Sequence, residues 1–369
     1  MTAYIYIFSL ILCGQFFVSK KFISKNKYCL GIAIFCSILA GLRSFDLGLG
    51  DTDGVYFPIY KAVSFTNGFS DVLFLFFDAH FGNDFVANSS GYSIGFLLLA
   101  KISSICFDNY HFFLLWTSFL YFFSISRIIS KYSNIPAIAF VAFLALNGFS
   151  SSFYLVRHIL GVSFLMFALE ALLNGKNIKF LILVLIAASI HISMLVFLIA
   201  YPIKRVSISS KVLLIFALLS AFFGIMVKTT FFSVVSQLGG FMSYYSVYAS
   251  SESGHFASLW FIGFLIFLFA FTYYKKLIIN NYLNSQYFKF ALLYCIFLSF
   301  QVIIDEFNRV ALFFLFAPSI LLSNTVDCIK NPYKKVLVSL VILLGFGTYW
   351  FLINLKNYNM LPYHMFFTF

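Results

Sequence analysis

A chain of 369 residues that is 62% hydrophobic and only 10% charged falls outside the soluble globular class, in which about a quarter of residues are charged. Its net charge of +12 is concentrated in short connectors between apolar runs, where the positive-inside rule accounts for it, so no nucleic-acid partner is expected. Apolar runs of about 18 residues or more recur, and the apolar–polar alternation of a β-barrel is absent, so these runs read as transmembrane helices.

The expected fold is an all-α polytopic integral membrane protein, one membrane domain over residues 1–369 with about twelve transmembrane helices. The first run, Ala3–Val18, has no basic residue before it and no clear small-residue cleavage site after it, so it reads as a helix rather than a cleavable signal. Lys20, Lys21, Lys25 and Lys27 follow without an acid; they assign that connector to the cytoplasm and turn the N-terminus outward. The second run, about Tyr28–Leu42, then delivers Arg43 to the outer side. Residues 44–91 read as an outer loop in which six aspartates stand against one basic residue, Lys61. Within it Asp71–Phe81 is too short to span and suits the interface.

Next come Tyr92–Phe107, Tyr110–Ser130, Ile135–Phe149, Phe153–Leu173 and Phe180–Ile203. If each crosses once, Arg127, Lys131, Lys176 and Lys179 fall outside, against the positive-inside rule. A re-entrant Tyr92–Phe107, with a hairpin at Phe180–Ile203 that breaks near His191, moves all four inside. Each arm of that hairpin has about 12 residues and is roughly 18 Å long, short for a hydrocarbon core of about 30 Å. The hairpin arrangement is the one expected, because it also places Arg43, Arg157, His191 and Arg309 on one face. Val212–Val227 spans again, and residues 228–255 form a second outer loop rich in tyrosine and serine. The runs Phe256–Tyr274, Tyr287–Ile304, Arg309–Ser323 and Val336–Leu355 complete the chain, with Pro318 expected to kink the third.

The six cysteines are scattered, mostly in apolar runs, without metal-ligand spacing; they read as small buried hydrophobes, and no metal is expected. Asp51–Gly54 begins like a calcium loop but lacks the glutamate at its end position. No Walker, Rossmann, HExxH or GxSxG motif stands in a supporting context.

Chemistry concentrates in a few charged residues at the ends of apolar helices. An arginine in lipid costs at least about 2.5 kcal/mol on insertion scales, so Arg43, Arg157 and Arg309 each need head groups, a local partner or an anionic ligand. Arg309 has Asp305 four residues before it as a local partner. Three arginines on one face, with His158 beside Arg157, instead make a binding site for a pyrophosphate, because a guanidinium offers a planar fork and keeps its charge. His191, between Ile190 and Ile192, is either a satisfied structural histidine or a base or phosphate donor. Asp51, Asp53 and Glu306 are the candidate catalytic carboxylates; for Asp51 and Asp53 the alternative is a solvated turn.

The segment GLRSFDLGLGDTDGVY, Gly41–Tyr56, following a helix, is similar to the start of exopolysaccharide polymerases of the EpsG type, which are grouped with the Wzy O-antigen polymerases. YLVRHILGVSFLMFALEALLNGK resembles that family's arginine helix, with His158 where glutamine is usual. ASIHISMLVFLIAYP and EFNRVALFFLFAPSI resemble its histidine segment and its late arginine, in the same order, over roughly residues 28–325. The resemblance implies a GT-C-like glycosyltransferase at the periplasmic face of the bacterial inner membrane. It implies that undecaprenyl-pyrophosphate-linked oligosaccharide repeat units are joined into polymer, as in lipopolysaccharide biosynthesis. By the same resemblance there is no metal, nucleotide sugar or other cofactor, and a separate chain-length regulator is a partner beside the membrane lipids.

Three other functions are weighed against it. An O-antigen ligase calls for a large late outer loop with paired arginines, and the late loop here is short and tyrosine-rich. A lipid-linked oligosaccharide flippase or transporter calls for charges through the membrane depth and pseudo-symmetric halves. A membrane acyltransferase calls for an embedded histidine–aspartate pair, for which His80 near Asp78 and Asp84 is the candidate.

Overall fold

The computed structural model describes residues 2–47, 52–81, 93–220, 256–301 and 307–366, and among them every regular element is helical. In chain order the first helices are α1 (Thr2–Ser19), α2 (Lys25–Gly41), α3 (Phe57–Ser64), α4 (Phe69–Phe81), α5 (Ile94–Cys106) and α6 (Tyr110–Tyr132). There follow α7 (Pro136–Ala145), α8 (Ser151–Tyr154), α9 (Val156–Leu173), α10 (Asn177–Ile190), α11 (Ala200–Arg205) and α12 (Ser210–Ser220). The last are α13 (Phe256–Thr272), α14 (Tyr274–Asn280), α15 (Leu283–Phe300), α16 (Phe307–Ala311), α17 (Phe316–Asp327) and α18 (Pro332–Tyr349).

Three of these helices are long and apolar enough to cross a membrane, α6, α9 and the one that begins at Pro332, or up to five if each bent pair counts as one span. Several of the other apolar runs are broken into shorter helices. Phe180–Ile203 breaks at His191, as expected, into α10 and a 3-10 helix, Ile192–Ile199. Tyr92–Phe107 becomes α5, whose 13 residues reach roughly 20 Å. The run around Pro318 bends by 42° between Phe307–Phe314 and α17. The bend has a local cause: a proline has no N–H for the carbonyl four residues back, Phe314, and its ring crowds that carbonyl. The second outer loop of the sequence reading, residues 228–255, lies outside the described residues. Four of the six cysteines are buried as expected, whereas Cys13 and Cys106 are exposed, each on an apolar helix.

The chain divides into two compact units. The first comprises residues 1–131, 147–198 and 345–369. Its centre is α9, which is 83% buried along its membrane-length window, against 11% for the helix starting at Pro332. The helix that carries Arg157 and Glu170 is therefore packed inside its unit. α9 turns into α10 through a Schellman cap. Gly175 takes a positive φ of 77°, its N–H bonds the Leu172 carbonyl, and the Lys176 N–H bonds the Ala171 carbonyl. This satisfies the last carbonyls of α9 and sends the chain back on itself. α5 lies across α10, α3 and α4 lie on α5, and an aromatic core of Tyr56, Tyr60, Phe96, Tyr110 and Phe113 fills the space between them.

The second unit comprises residues 132–146 and 199–344. α7 is buried along its whole length and packs on α17, which packs in turn on α13 and α15. A polar knot fixes this arrangement: Asn324 Nδ2 donates to Asn284 Oδ1 at 2.9 Å, and Ser323 Oγ donates to the Ile135 carbonyl at 2.9 Å. Lys289 Nζ donates to the carbonyls of Ile203, Lys204 and Val206, neutralising the C-terminal end of α11.

Candidate functional site

The site is assembled where four chain segments of the first unit meet. α10 ends at His191, which leaves the helix in extended conformation at φ −151° and ψ 116° while its N–H still bonds the Ala187 carbonyl. α5 begins at the same point. Ser93, its N-cap residue, donates from Oγ to the Ile190 carbonyl, so the start of one helix satisfies the end of the other. Gly95 makes that approach close: a Cβ there would lie 2.3 Å from Ser189 Oγ and 2.7 Å from the Ser189 carbonyl carbon.

Arg157 and His158 arrive on the first turn of α9, which runs antiparallel to α10. Arg157 is only 9% exposed, and its side chain lines a cleft of about 570 Å³ together with Phe76, Ser93, His191 and Leu195. Among the described residues it is the one charged side chain on that lining, whose other walls are mostly apolar. A guanidinium held there is attracted to an anion more strongly than one in bulk water, because the apolar walls lower the local dielectric. His158 is 1% exposed and meets the His191 ring edge-on, with centroids 5.3 Å apart and an interplanar angle of 87°. His191 Nδ1 lies 3.1 Å from Ser193 Oγ and 3.4 Å from the Ser193 backbone nitrogen. In this geometry the Ser193 N–H points at Nδ1, which suits a neutral ring with its proton on Nε2.

Arg43 lies elsewhere in the same unit. It is fully buried just beyond α2. Its Nη1 donates to the Ala40 carbonyl and its Nη2 to the Phe153 carbonyl at 2.9 Å, with the Phe153 ring 5.0 Å from the guanidinium. The C-terminal strap covers this stretch. The Ser44 N–H bonds the His364 carbonyl, the Phe366 N–H bonds the Leu42 carbonyl, and Arg43 pairs with Met365 as an isolated antiparallel bridge. Tyr363 donates to the Leu39 carbonyl at 2.9 Å, and His364 Nε2 lies 2.9 Å from Asp46 Oδ2. Asp46 lies in the loop beyond α2; its carboxyl is held below the usual carboxylate range, first by the Ser44 side chain and, after the opposing effect of burial, by His364. Arg43 thus ties α2 to the α8 turn four residues ahead of Arg157, with both of these hydrogen bonds going to backbone carbonyls.

Of the residues singled out in the sequence, the fold gathers Arg157, His158 and His191. Arg309 is partly exposed on α16, in the second unit. Asp51 and Glu306 lie outside the described residues, and Asp53 is described only as backbone in the turn Thr52–Tyr56. Sequence reasoning missed Ser93 and Phe76 as parts of the cleft, and it missed the strap altogether. The serine's position as an N-cap just before an apolar run was the available signal. For the strap, the available signal was a proline-containing tail after the last apolar run.

No curated protein and no solved structure matches this sequence. The model of one family, described as the EpsG family, matches residues 26–365, from the first residues of α2 to the strap residue paired with Arg43. With a match over nearly its whole length, a range that includes the helices that build the cleft, the chain belongs to the EpsG family.

Proposed function

We propose that this protein is a polysaccharide polymerase of the bacterial inner membrane, with a GT-C-like architecture of about twelve membrane-crossing segments. It joins undecaprenyl-pyrophosphate-linked oligosaccharide repeat units at the periplasmic face. One observation carries the reading: Arg157 and His191, from two antiparallel helices, converge on one apolar-walled cleft, in a chain of the EpsG family. In the proposed step a hydroxyl of the acceptor unit attacks the anomeric carbon of the donor. The bond to the lipid pyrophosphate breaks as the glycosidic bond forms, and the hydroxyl proton goes to a base. Negative charge grows on the departing pyrophosphate, where the guanidinium of Arg157 stabilises it most.

The orientation of His191 favours a donor role over a basic one. With Nδ1 accepting from Ser193, Nε2 presents an N–H suited to a phosphate oxygen. The base is then assigned to a carboxylate, with Asp51, Asp53 and Glu306 as candidates. Arg43 becomes a positioning residue: by holding the Phe153 carbonyl it sets the entry into the arginine helix. Arg309 is proposed as an anion contact of the second unit.

The test is a strain lacking the gene, analysed by lipopolysaccharide gel. A polymerase loss leaves core bearing a single repeat unit, whereas loss of a ligase or flippase leaves core alone. An unchanged ladder would sink the reading.

A further inference from the structure

The other end of α9 carries a second assembly of charge. Arg127 and Lys131 stand four residues apart on α6 and share one carboxylate, Glu170. Arg127 Nε lies 2.7 Å from Oε2 and its Nη2 3.0 Å from Oε1, a bidentate fork, and Lys131 Nζ lies 2.9 Å from Oε1. The side chain of Glu170 is 14% exposed while those of Arg127 and Lys131 are 51% and 42% exposed. The carboxylate therefore holds two cations in fixed positions and leaves them accessible.

Two adjoining clefts open against this bridge, and Phe123, Arg127 and Glu170 line both. The first, of about 410 Å³, has Lys176 and Lys179 with Asn174 as polar groups, and Phe167 and Leu183 as apolar wall. The second, of about 380 Å³, has Lys131, Asn26 and Ser130 beside Leu30. Four basic side chains around one carboxylate leave the region strongly positive. The N-terminal end of α10, which starts at Asn177, adds its positive dipole end. By the positive-inside rule this is the cytoplasmic end of the bundle.

Charge beside apolar wall is the chemistry of an amphiphile's neck: cations for a phosphate, phenylalanine and leucine for the chain beneath it. We propose that these paired clefts bind an anionic glycerophospholipid, with Lys176 and Lys179 on its phosphate and its acyl chain along Phe123, Phe167 and Leu183. The seat stands at the far end of α9 from Arg157, roughly 20 Å away for 13 residues of helix rise, so it is a second lipid site and does not depend on the polymerase reading.

The test is native mass spectrometry of the full-length protein in mild detergent, offering phosphatidylglycerol, phosphatidylcholine and inorganic phosphate. The wild type is compared with Lys176→Gln/Lys179→Gln and with a control, Lys275→Gln/Lys276→Gln, whose lysines are exposed on α14. The wild type retains phosphatidylglycerol in preference to phosphatidylcholine. The first double variant loses about thirtyfold in retention, about fivefold for each lysine near a lipid surface, and the control loses none. Inorganic phosphate in excess does not displace the lipid. Equal retention of the two lipids by the wild type overturns the proposal without any variant. So does an equal loss in the control pair, which would show diffuse charge, or displacement by phosphate, which would show a site for the free ion.

Discussion

Arg43 and Arg157 look alike in the sequence, each an arginine at the end of an apolar helix, yet they meet different surroundings. Arg43 is enclosed and donates to the carbonyls of Ala40 and Phe153. Arg157 lines an open cleft. Sequence reasoning could place both at helix ends by their cost in lipid, but which one faces a cavity depends on the C-terminal strap, more than 300 residues from Arg43 along the chain. Arg43→Ala leaves two buried carbonyls without these donors, at about 1–3 kcal/mol each. It should lower the thermal unfolding midpoint in detergent, and an unchanged midpoint would contradict the bracing role. At His191 the donor assignment predicts that His191→Gln, which keeps an N–H, retains more polymer than His191→Phe. Equal loss in the two variants, read from polymer length on gels, would return the histidine to the role of base.

Two helix breaks were legible in the sequence, the one at His191 from the basic residues that flank its run and the bend ahead of Pro318 from the proline itself. The meeting of α5 with α10 was not legible, because it depends on which helices become neighbours. A side chain at Gly95 must push those helices apart, since its Cβ would sit 2.3 Å from Ser189 Oγ and 2.9 Å from the Ile190 nitrogen. Gly95→Val should therefore cost about 1–3 kcal/mol and open the cleft, seen as faster hydrogen exchange at Ser189–His191; unchanged exchange would mean the helices yield without cost. The strap carries its own signature. Asp46 has a carboxyl pKa lowered in the folded state, first by Ser44 and then by His364. The stabilisation is therefore complete above the unfolded value of about 3.9 and is lost as pH falls through the lower folded value. Hydrogen exchange over residues 358–366 should quicken in that acid range, and Asp46→Asn should remove the dependence. A variant with the same acid response would exclude Asp46 as its source.

Across the whole molecule, the membrane class and the order of the helices were evident from composition and hydropathy, and the family from the resemblance of a few short motifs. The number of true crossings was not, because hydropathy measures how apolar a run is and not whether it stays straight. Arg127, Lys131, Lys176 and Lys179 line adjoining clefts at one end of α9, and Arg157 and His191 line the cleft at its other end. The two charged clefts thus stand at opposite ends of one buried helix, which is the arrangement that the proposed polymerase and the proposed lipid seat both use. Arg157 is proposed to stabilise the departing pyrophosphate. This is tested by complementing a deletion strain with Arg157→Ala at wild-type membrane abundance and resolving the lipopolysaccharide on a gel. Loss of a preorganised charge partner should slow polymerisation by about 10²–10³-fold, leaving core with a single repeat unit and no ladder. A full ladder from the variant would contradict it.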